Sequence, residues 1–501
     1  MKPDIPERVC LITPPSIFLL DERVFMTLGI LKVAANLERF GVIVEMLDLS
    51  GVENYLVAVG DHVRSSAANI FGITATTPIM PAAALITKTI REIRPNAKII
   101  LGGPHITLVN AAYKREIRVG LVGGRAIKAM LQAEEMFDVL VAGDGEEAIF
   151  AACQDGSPKL VDADDSRSPL FLDNGRLTAL PFPARHLVDV SSYHYSIDGV
   201  PTLSLIAQLG CPFGCGFCGG RSSPMLRRIR MRTSENVVAE MVHLYRIYGV
   251  TGFMMYDDEL NVNPKMIELM NLIEKTQKNL GVEWRLRGFI KSQLFTDEQA
   301  AAMYRAGFRW ILVGFESGSP RILQNINKQA TREENSRCVQ IAKRHGLKVK
   351  ALMSIGHPGE GRDTIAETTA WLLKAKPDDF DATIITCYCG TPYYDEAVSH
   401  ERLPGVWTYT YKRTGDKLHQ YEVDYTKVAD YYKGDPDGGY KAYVFTDFLT
   451  SKELVSERDN VERTVRAALN IPFNPGAPAI RYEHSMGQMG VLQSNILRVS
   501  K

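Results

Sequence analysis

Three of the chain's eight cysteines stand in one short loop, Cys211-Pro-Phe-Gly-Cys215-Gly-Phe-Cys218, at the end of the apolar run LSLIAQLG. Three thiols cannot pair off as disulfides, and they leave a tetrahedral metal site one ligand short. Three thiolates on one inorganic cluster, with a fourth metal position open, suit a catalyst; a structural zinc takes four closed ligands. Zinc stays in play if a distant residue completes the shell. Cys387 and Cys389 are the candidates, although a Cys-x-Cys pair on or after a strand is more often packing. Further along, reactive side chains recur at intervals. They are Asp257-Asp258 in MMYDDELNVN, Arg285 and Arg287 in WRLRGF, and Glu316-Ser317 in GFESGSPRILQNINK, which ends on Lys328. Paired acids also cap helices and turns, and one of Asp257 and Asp258 is expected to do only that. A guanidinium forks well onto a carboxylate, which makes Arg287 a carboxylate partner. Arg285 points to the same face of a regular strand.

These residues need a frame. From 202 onward, strands are predicted at 202–208, 252–256, 284–288, 310–314, 348–353 and 382–386. Helices alternate with them, several opened by capping boxes such as Thr296-x-x-Gln299 and Thr331-x-x-Glu334. Six strand–helix units suit a partial barrel, whose chemistry collects at the carboxyl ends of its strands. The cysteines follow the first strand, and the acids, arginines and Glu316 lie on or after the next three.

An earlier alternation fills residues 8–150, with apolar runs VCLIT, VIVEMLDL, IFGIT, AKIIL and FDVLVA separated by helical periods. That pattern implies a parallel sheet covered on both faces, with ligands beyond the carboxyl ends of its strands. Those ends read TPPS, TATTP, GGPH and GDGEEA, rich in glycine and threonine. Tight turns alone would explain any one of them; four ends agreeing favour a ligand site. GDGEEA formally matches the dinucleotide fingerprint but follows the fifth strand rather than the first, so the match is weak.

The division expected is 1–150, a Rossmann-like domain; 151–200, a linker with the breakers QDGSP, DNGR and PFPAR; 201–390, the partial barrel; and 391–501, a small α+β cap. In the cap Trp407, Tyr409 and Tyr411 alternate as in a half-buried strand. A helix opens at Thr450-x-x-Glu453, runs to about Asn470 and is ended by Pro472, Pro475 and Pro478. Formal net charge is zero, so no general attraction to nucleic acid follows. The run Arg221, Arg227, Arg228, Arg230 and Arg232 reads first as solvated surface. No apolar run reaches membrane-spanning length and no signal-peptide pattern opens the chain, so a cytoplasmic protein with reduced thiols is expected.

C-x3-C-x2-C with an aromatic, Phe217, before the last cysteine is the signature of the radical S-adenosylmethionine (SAM) superfamily, and residues 200–390 resemble that family. The resemblance implies that Cys211, Cys215 and Cys218 bind a 4Fe–4S cluster whose fourth iron is chelated by the amino and carboxylate groups of SAM. It implies SAM contacts from Phe217, from Asp257 and Asp258 at the ammonium, from Arg287 at the carboxylate, and from Glu316 and Ser317 at ribose and methionyl groups. Lys328 would support them, and Gly356 and Gly359 would let backbone approach the adenine.

The motifs ATTP, GGPH and GDGEEA resemble the cobalamin-binding domain found N-terminal to many radical enzymes. This implies cobalamin contacts from Pro15, Ser16, Thr74, Thr76, Thr77, Gly102, Gly103, His105, Gly143, Asp144, Gly145 and Glu146. The Asp-x-His-x-x-Gly that supplies a histidine to cobalt is missing, and Asp61-His62 does not fit it; His105 reads as a nucleotide-tail or packing residue. The activity implied is a cobalamin-dependent radical SAM C-methyltransferase. It would act on a small molecule or peptide, with an electron donor such as flavodoxin or ferredoxin. Two rivals are a cyclase, oxidase or rearrangement enzyme with the same cofactors but no methyl transfer, and a non-catalytic cobalamin or redox sensor.

Overall fold

The computed structural model describes residues 6–16, 22–429 and 441–471. The first sheet has six strands: β1 (Arg8–Thr13), β2 (Ile43–Asp48), β3 (Ile70–Thr74), β4 (Lys98–Gly102), β5 (Val139–Gly143) and β6 (Leu160–Ala163). All run parallel in the order β2-β1-β3-β4-β5-β6. Strand order reverses at β1, the place where open α/β sheets leave a crevice beyond their carboxyl ends. Helices pack on it through apolar stripes, Ile30, Leu31, Ala34 and Leu37 from Leu28–Arg39, and Ala83, Ile86 and Ile90 from Met80–Ile93. The five expected strands are present. The sixth, β6, lies in the stretch that the sequence presents as linker. Its four residues, LVDA, are too short to show a period, and pairing with β5 makes the strand.

The second sheet contains β7 (Ser196–Ile197), β8 (Val200–Leu205), β11 (Gly252–Met255), β12 (Arg285–Phe289), β13 (Phe308–Glu316), β14 (Lys348–Ile355) and β15 (Asp379–Ile384). Its order is β15-β14-β13-β12-β11-β8-β7, with β8 to β15 parallel and β7 antiparallel at the edge. β7 and β15 are not neighbours, so the barrel is partial. The turn between β7 and β8 is Asp198-Gly199, both at positive φ, the Asp-Gly hairpin signal. Between β8 and β11 the chain forms a short antiparallel pair, β9 (Gln208–Leu209) with β10 (Arg230–Met231). Both expected capping boxes form, Thr296 with Gln299 and Thr331 with Glu334.

A four-stranded antiparallel cap, β16 (Val398–Ser399), β17 (Val406–Thr410), β18 (Lys417–Tyr421) and β19 (Val444–Thr446), precedes the helix Ser451–Leu469. That helix begins in the Thr450–Glu453 capping box; Pro472, Pro475 and Pro478 lie outside the described residues. It docks on β15 through charge as well as apolar contact. Arg466 reaches Asp379 at 3.2 Å, Lys350 reaches Asp379 at 3.0 Å and Asp381 at 3.1 Å, and Glu462 accepts the Ala382 N–H at 2.8 Å. All five side chains are buried. Burial pushes the Asp381 carboxyl upward, and Lys350 pulls it back. Arg466→Ala would strand Asp379 and Glu462 without that guanidinium. A loss of about 3–5 kcal/mol is expected, read as a lower denaturation midpoint under anaerobic conditions; an unchanged midpoint would show that the network adds nothing.

Candidate active site

The cysteine loop leaves the barrel through Gly210, at φ +89, where an added Cβ would lie 2.2 Å from the Arg228 carbonyl oxygen. Only glycine turns there without moving the β10 approach. Both acids after β11 brace this segment. Asp257 Oδ1 accepts the Ala207 N–H at 2.9 Å and the Gln208 N–H at 2.5 Å, and Asp258 Oδ2 accepts the Gly210 N–H at 2.8 Å. Each acid holds backbone, so bracing is a job of both and not of one alone. Asp257 Oδ2 remains without a hydrogen-bond partner among the described residues, and burial lifts this carboxyl to about 7.

Beyond Gly210 the loop is tied to three other places. Cys211 N–H donates to Leu226 O at 3.0 Å, Gly216 N–H to Ile326 O at 2.8 Å, and Tyr393 N–H to Gly216 O at 3.0 Å. A Cβ on Gly216 would meet the Tyr393 ring at 2.2 Å. None of the three thiols is in a disulfide. Cys218 opens to the barrel mouth, yet protein surrounds it closely enough that desolvation pushes its thiol up to about 12, with Cys215 and Cys211 adding to the rise. Arg227 is the cation that opposes this rise, while Lys291 and Lys328 face Cys215. Lys291 Nζ donates to Lys328 O at 2.9 Å and lies 4.4 Å from the centre of the Phe213 ring.

The three loop sulfurs do not all lie within 4.8 Å of one another; among the described residues the set that does is Cys10, Glu45 and His62. Thiolates sharing one zinc would sit ~3.8 Å apart, given Zn–S bonds of about 2.3 Å. Three thiols on one loop, none in a disulfide, match the donor count of an iron–sulfur cluster that keeps one iron open.

Glu316 ends β13 at φ +66, a left-handed conformation uncommon for a side-chain-bearing residue, at a register shift against β14. The turn folds its carboxylate back over Gly314, where a Cβ would lie 2.5 Å from Oε1. Oε1 accepts from Lys328 Nζ at 3.0 Å and Oε2 from Ser354 Oγ at 2.7 Å. Burial works to raise this carboxyl, but Lys328 and Ser354 outweigh it and hold it low. Ser354 Oγ also meets His357 Nε2 at 2.7 Å, and His357 Nδ1 meets Tyr393 Oη at 3.3 Å. Burial drives His357 down to about 3, so it is neutral. Donor accounting then fixes the chain. Ser354 donates to the carboxylate and accepts His357 Nε2–H, while Nδ1 accepts the Tyr393 hydroxyl.

Glu259, Lys291, His357 and Tyr393 belong to this centre and were not singled out from sequence. Glu259 is the third acid of Asp-Asp-Glu; burial lifts it to about 7 against Lys328 and Lys291. Phe217 packs its ring on His357 at 5.4 Å. Arg287 is buried with its guanidinium 5.4 Å from the Trp310 ring centre. Three further expected contacts meet other residues here. Ser317 Oγ pairs with Thr368 Oγ1 at 3.0 Å and accepts the Ser319 N–H at 3.0 Å. Gly356 turns at φ +98 with Val444 of the cap 3.2 Å from a would-be Cβ, and Gly359 is crowded by Asp416.

At the carboxyl ends of β1, β3, β4 and β5 lies a largely apolar cavity of about 340 Å³. Thr74, Thr76, Gly102, Gly103, Gly143, Asp144, Gly145 and Glu146 border it. Gly103 (φ +99) and Gly143 (φ +93) are obligatory, since a Cβ would strike Ala75 and Ala163 backbone at under 3 Å. Ile206, Leu209, Met225 and Leu226, which flank the cysteine loop, also border the cavity. Pro15, Ser16, Thr77 and His105 do not border it. Ser16 N–H donates to Glu22 at 2.6 Å, and His105 Nδ1 pairs with Thr77 Oγ1 at 3.1 Å. His105 borders a second cavity, against the cap, and burial pushes it down to about 4. Asp144 borders the cavity, but its carboxylate accepts from the Leu172 N–H at 2.9 Å and from Arg230. Glu146 is buried 3.9 Å from Lys32. Arg230 and Arg232, expected on a solvated face, are buried; Arg232 pairs with Glu240 at 2.6 Å.

The chain belongs to the radical SAM superfamily, whose model matches residues 205–372. An uncharacterized methyltransferase of Pyrococcus horikoshii is 30% identical over 337 residues, covering 67% of this chain and 70% of that protein. The anaerobic magnesium-protoporphyrin IX monomethyl ester cyclase of Rubrivivax gelatinosus is 26% identical over 331 residues, 64% of this chain and 57% of its own length. In fold, the chain matches the radical SAM methyltransferase TsrM of Kitasatospora setae, solved with cobalamin and a 4Fe–4S cluster. The TM-score is 0.61 at 16% identity, over 93% of this chain and 99% of that one. The cobalamin-dependent SAM radical enzyme OxsB, solved with aqua-cobalamin, matches with a TM-score of 0.58 at 16% identity, over 78% of this chain and 55% of that one. Among the described residues no helix is long and apolar enough to cross a membrane.

Proposed function

We propose that the chain is a cobalamin-dependent radical SAM methyltransferase that methylates an unactivated carbon of a small molecule or peptide. One observation carries the reading: the segments flanking the cysteine loop form a wall of the cavity at the first sheet's carboxyl edge. Two cofactor sites sharing a wall suit a reaction that passes a group between them.

Cys211, Cys215 and Cys218 would hold the cluster, with Lys291 and Lys328 offsetting thiolate charge. Asp257 Oδ2, which has no hydrogen-bond partner among the described residues, would accept the SAM ammonium, with Arg287 at the carboxylate and Glu316 at the ribose. Gly102, Gly103, Gly143 and Gly145 would let the first sheet's strand ends approach cobalamin closely. Bound there, these cofactors supply a 5'-deoxyadenosyl radical and a transferable methyl group. The buried chain Tyr393–His357–Ser354–Glu316 fixes the Glu316 carboxylate, and the cap carrying Val444 closes over Gly356, excluding water from the mouth. A flavodoxin or ferredoxin would supply the electron.

The test is anaerobic purification with iron, sulfide and cobalamin quantified, followed by assay of the nucleosides. Methylation releases S-adenosylhomocysteine together with 5'-deoxyadenosine. Release of 5'-deoxyadenosine alone assigns the chain to cyclase-type chemistry, the activity named for the Rubrivivax relative. A bound cluster that never cleaves SAM under strong reductant identifies a sensor.

A further inference from the structure

We propose that Cys10, Glu45 and His62 form a second metal site, for one divalent cation of the zinc class, separate from the cluster and from the cavity. The ligand atoms come from three elements: β1, β2 and the helix Tyr55–Ser65. All lie within 4.8 Å of one another. Cys10 Sγ is 3.4 Å from His62 Nε2, and that nitrogen is 3.0 Å from Glu45 Oε2. Around a tetrahedral zinc, bonds of about 2.3 Å to sulfur and 2.0–2.1 Å to nitrogen or oxygen place such ligands ~3.6 and ~3.3 Å apart. Those two edges differ from the ideal by only a few tenths of an ångström, and the Cys10–Glu45 edge falls within the same 4.8 Å limit.

The surroundings are those of a metal site with an outer shell. Arg8 Nη1 holds Glu45 Oε1 at 3.0 Å and Ser66 Oγ holds Oε2 at 2.5 Å, fixing the carboxylate. Cys10 is fully buried, whereas Glu45 and His62 are partly open, leaving a fourth position for water. Thiolate and carboxylate together neutralise a divalent charge. Binding releases the Cys10 Sγ proton, and the His62 ring binds through Nε2 as a neutral imidazole. A thiol gives up its proton when it binds the cation, so zinc affinity is expected to rise with pH. None of the three residues borders the first-sheet cavity. The site would clamp the helix Tyr55–Ser65 onto the β1–β2 edge.

The test uses the full chain, purified anaerobically with its iron–sulfur centre loaded, incubated with equimolar zinc and desalted. Zinc content and the zinc-edge X-ray absorption spectrum are then measured. One zinc per chain is expected, with one sulfur in its shell and the remainder nitrogen or oxygen. Cys10→Ser and His62→Ala should each weaken zinc binding about tenfold or more, with iron content and 5'-deoxyadenosine release unchanged. Glu45→Gln serves as a shape-preserving third variant should either of the others fail to fold. No retained zinc, zinc unaffected by the variants, or a shell without sulfur would overturn the site. A three-sulfur shell would place zinc in the Cys211–Cys218 loop and overturn both this site and the cluster reading, which makes the two failures distinguishable.

Discussion

Cys215→Ala is expected to abolish 5'-deoxyadenosine release and to drop iron from about four per chain to background. Cys215 is the buried middle thiol, packed against Ile322 and Ile326 and facing two lysines. Alanine keeps that packing while removing the donor, so the fold should survive and the chemistry should not. Cys387→Ala is the control: that thiol is buried beyond β15, outside the loop, and its loss should leave iron and product unchanged. SAM cleavage persisting in Cys215→Ala would end the assignment of the loop as a cluster ligand set.

Arg230→Met is expected to destabilise the chain by about 3–5 kcal/mol and to weaken cobalamin retention through desalting. Arg230 is 2% exposed and joins Asp144, at the end of β5, to the Leu172 carbonyl at 2.9 Å. Removing it leaves a buried carboxylate with only the Leu172 N–H, the costly half of a broken buried pair. The Arg230→Met, Asp144→Asn double variant should recover most of the lost stability, because no uncompensated charge remains. Full cobalamin retention in the single variant would show that β10 does not support the cavity wall.

Most of the framework could be read from sequence because its signals are local. Apolar runs marked the five strands of the first sheet and the six parallel strands of the barrel, and Thr-x-x-Gln or Thr-x-x-Glu marked helix starts. The cysteine spacing carried its chemistry without help from tertiary structure. What stayed hidden depends on distant partners. β6 exists through pairing with β5, and Arg230 is buried because Asp144 waits for it on another sheet. The Asp198-Gly199 turn was a readable hairpin signal that the apolar-run reading passed over. Glu259 follows two acids that already had a role, and His357 and Tyr393 join the centre only through Ser354 and Glu316. Ser317 stands at a motif position, and its hydroxyl meets Thr368, a partner 51 residues away that no local pattern announces.

Leu226 has two attachments with a joint consequence. Its side chain meets the first-sheet cavity, and its carbonyl receives the N–H of Cys211. An occupant of that chamber would contact the residue whose carbonyl holds the first thiol's backbone. Loading one chamber should stiffen its neighbour: iron retention is expected to rise with occupancy of the chamber, even before any sulfonium cosubstrate arrives.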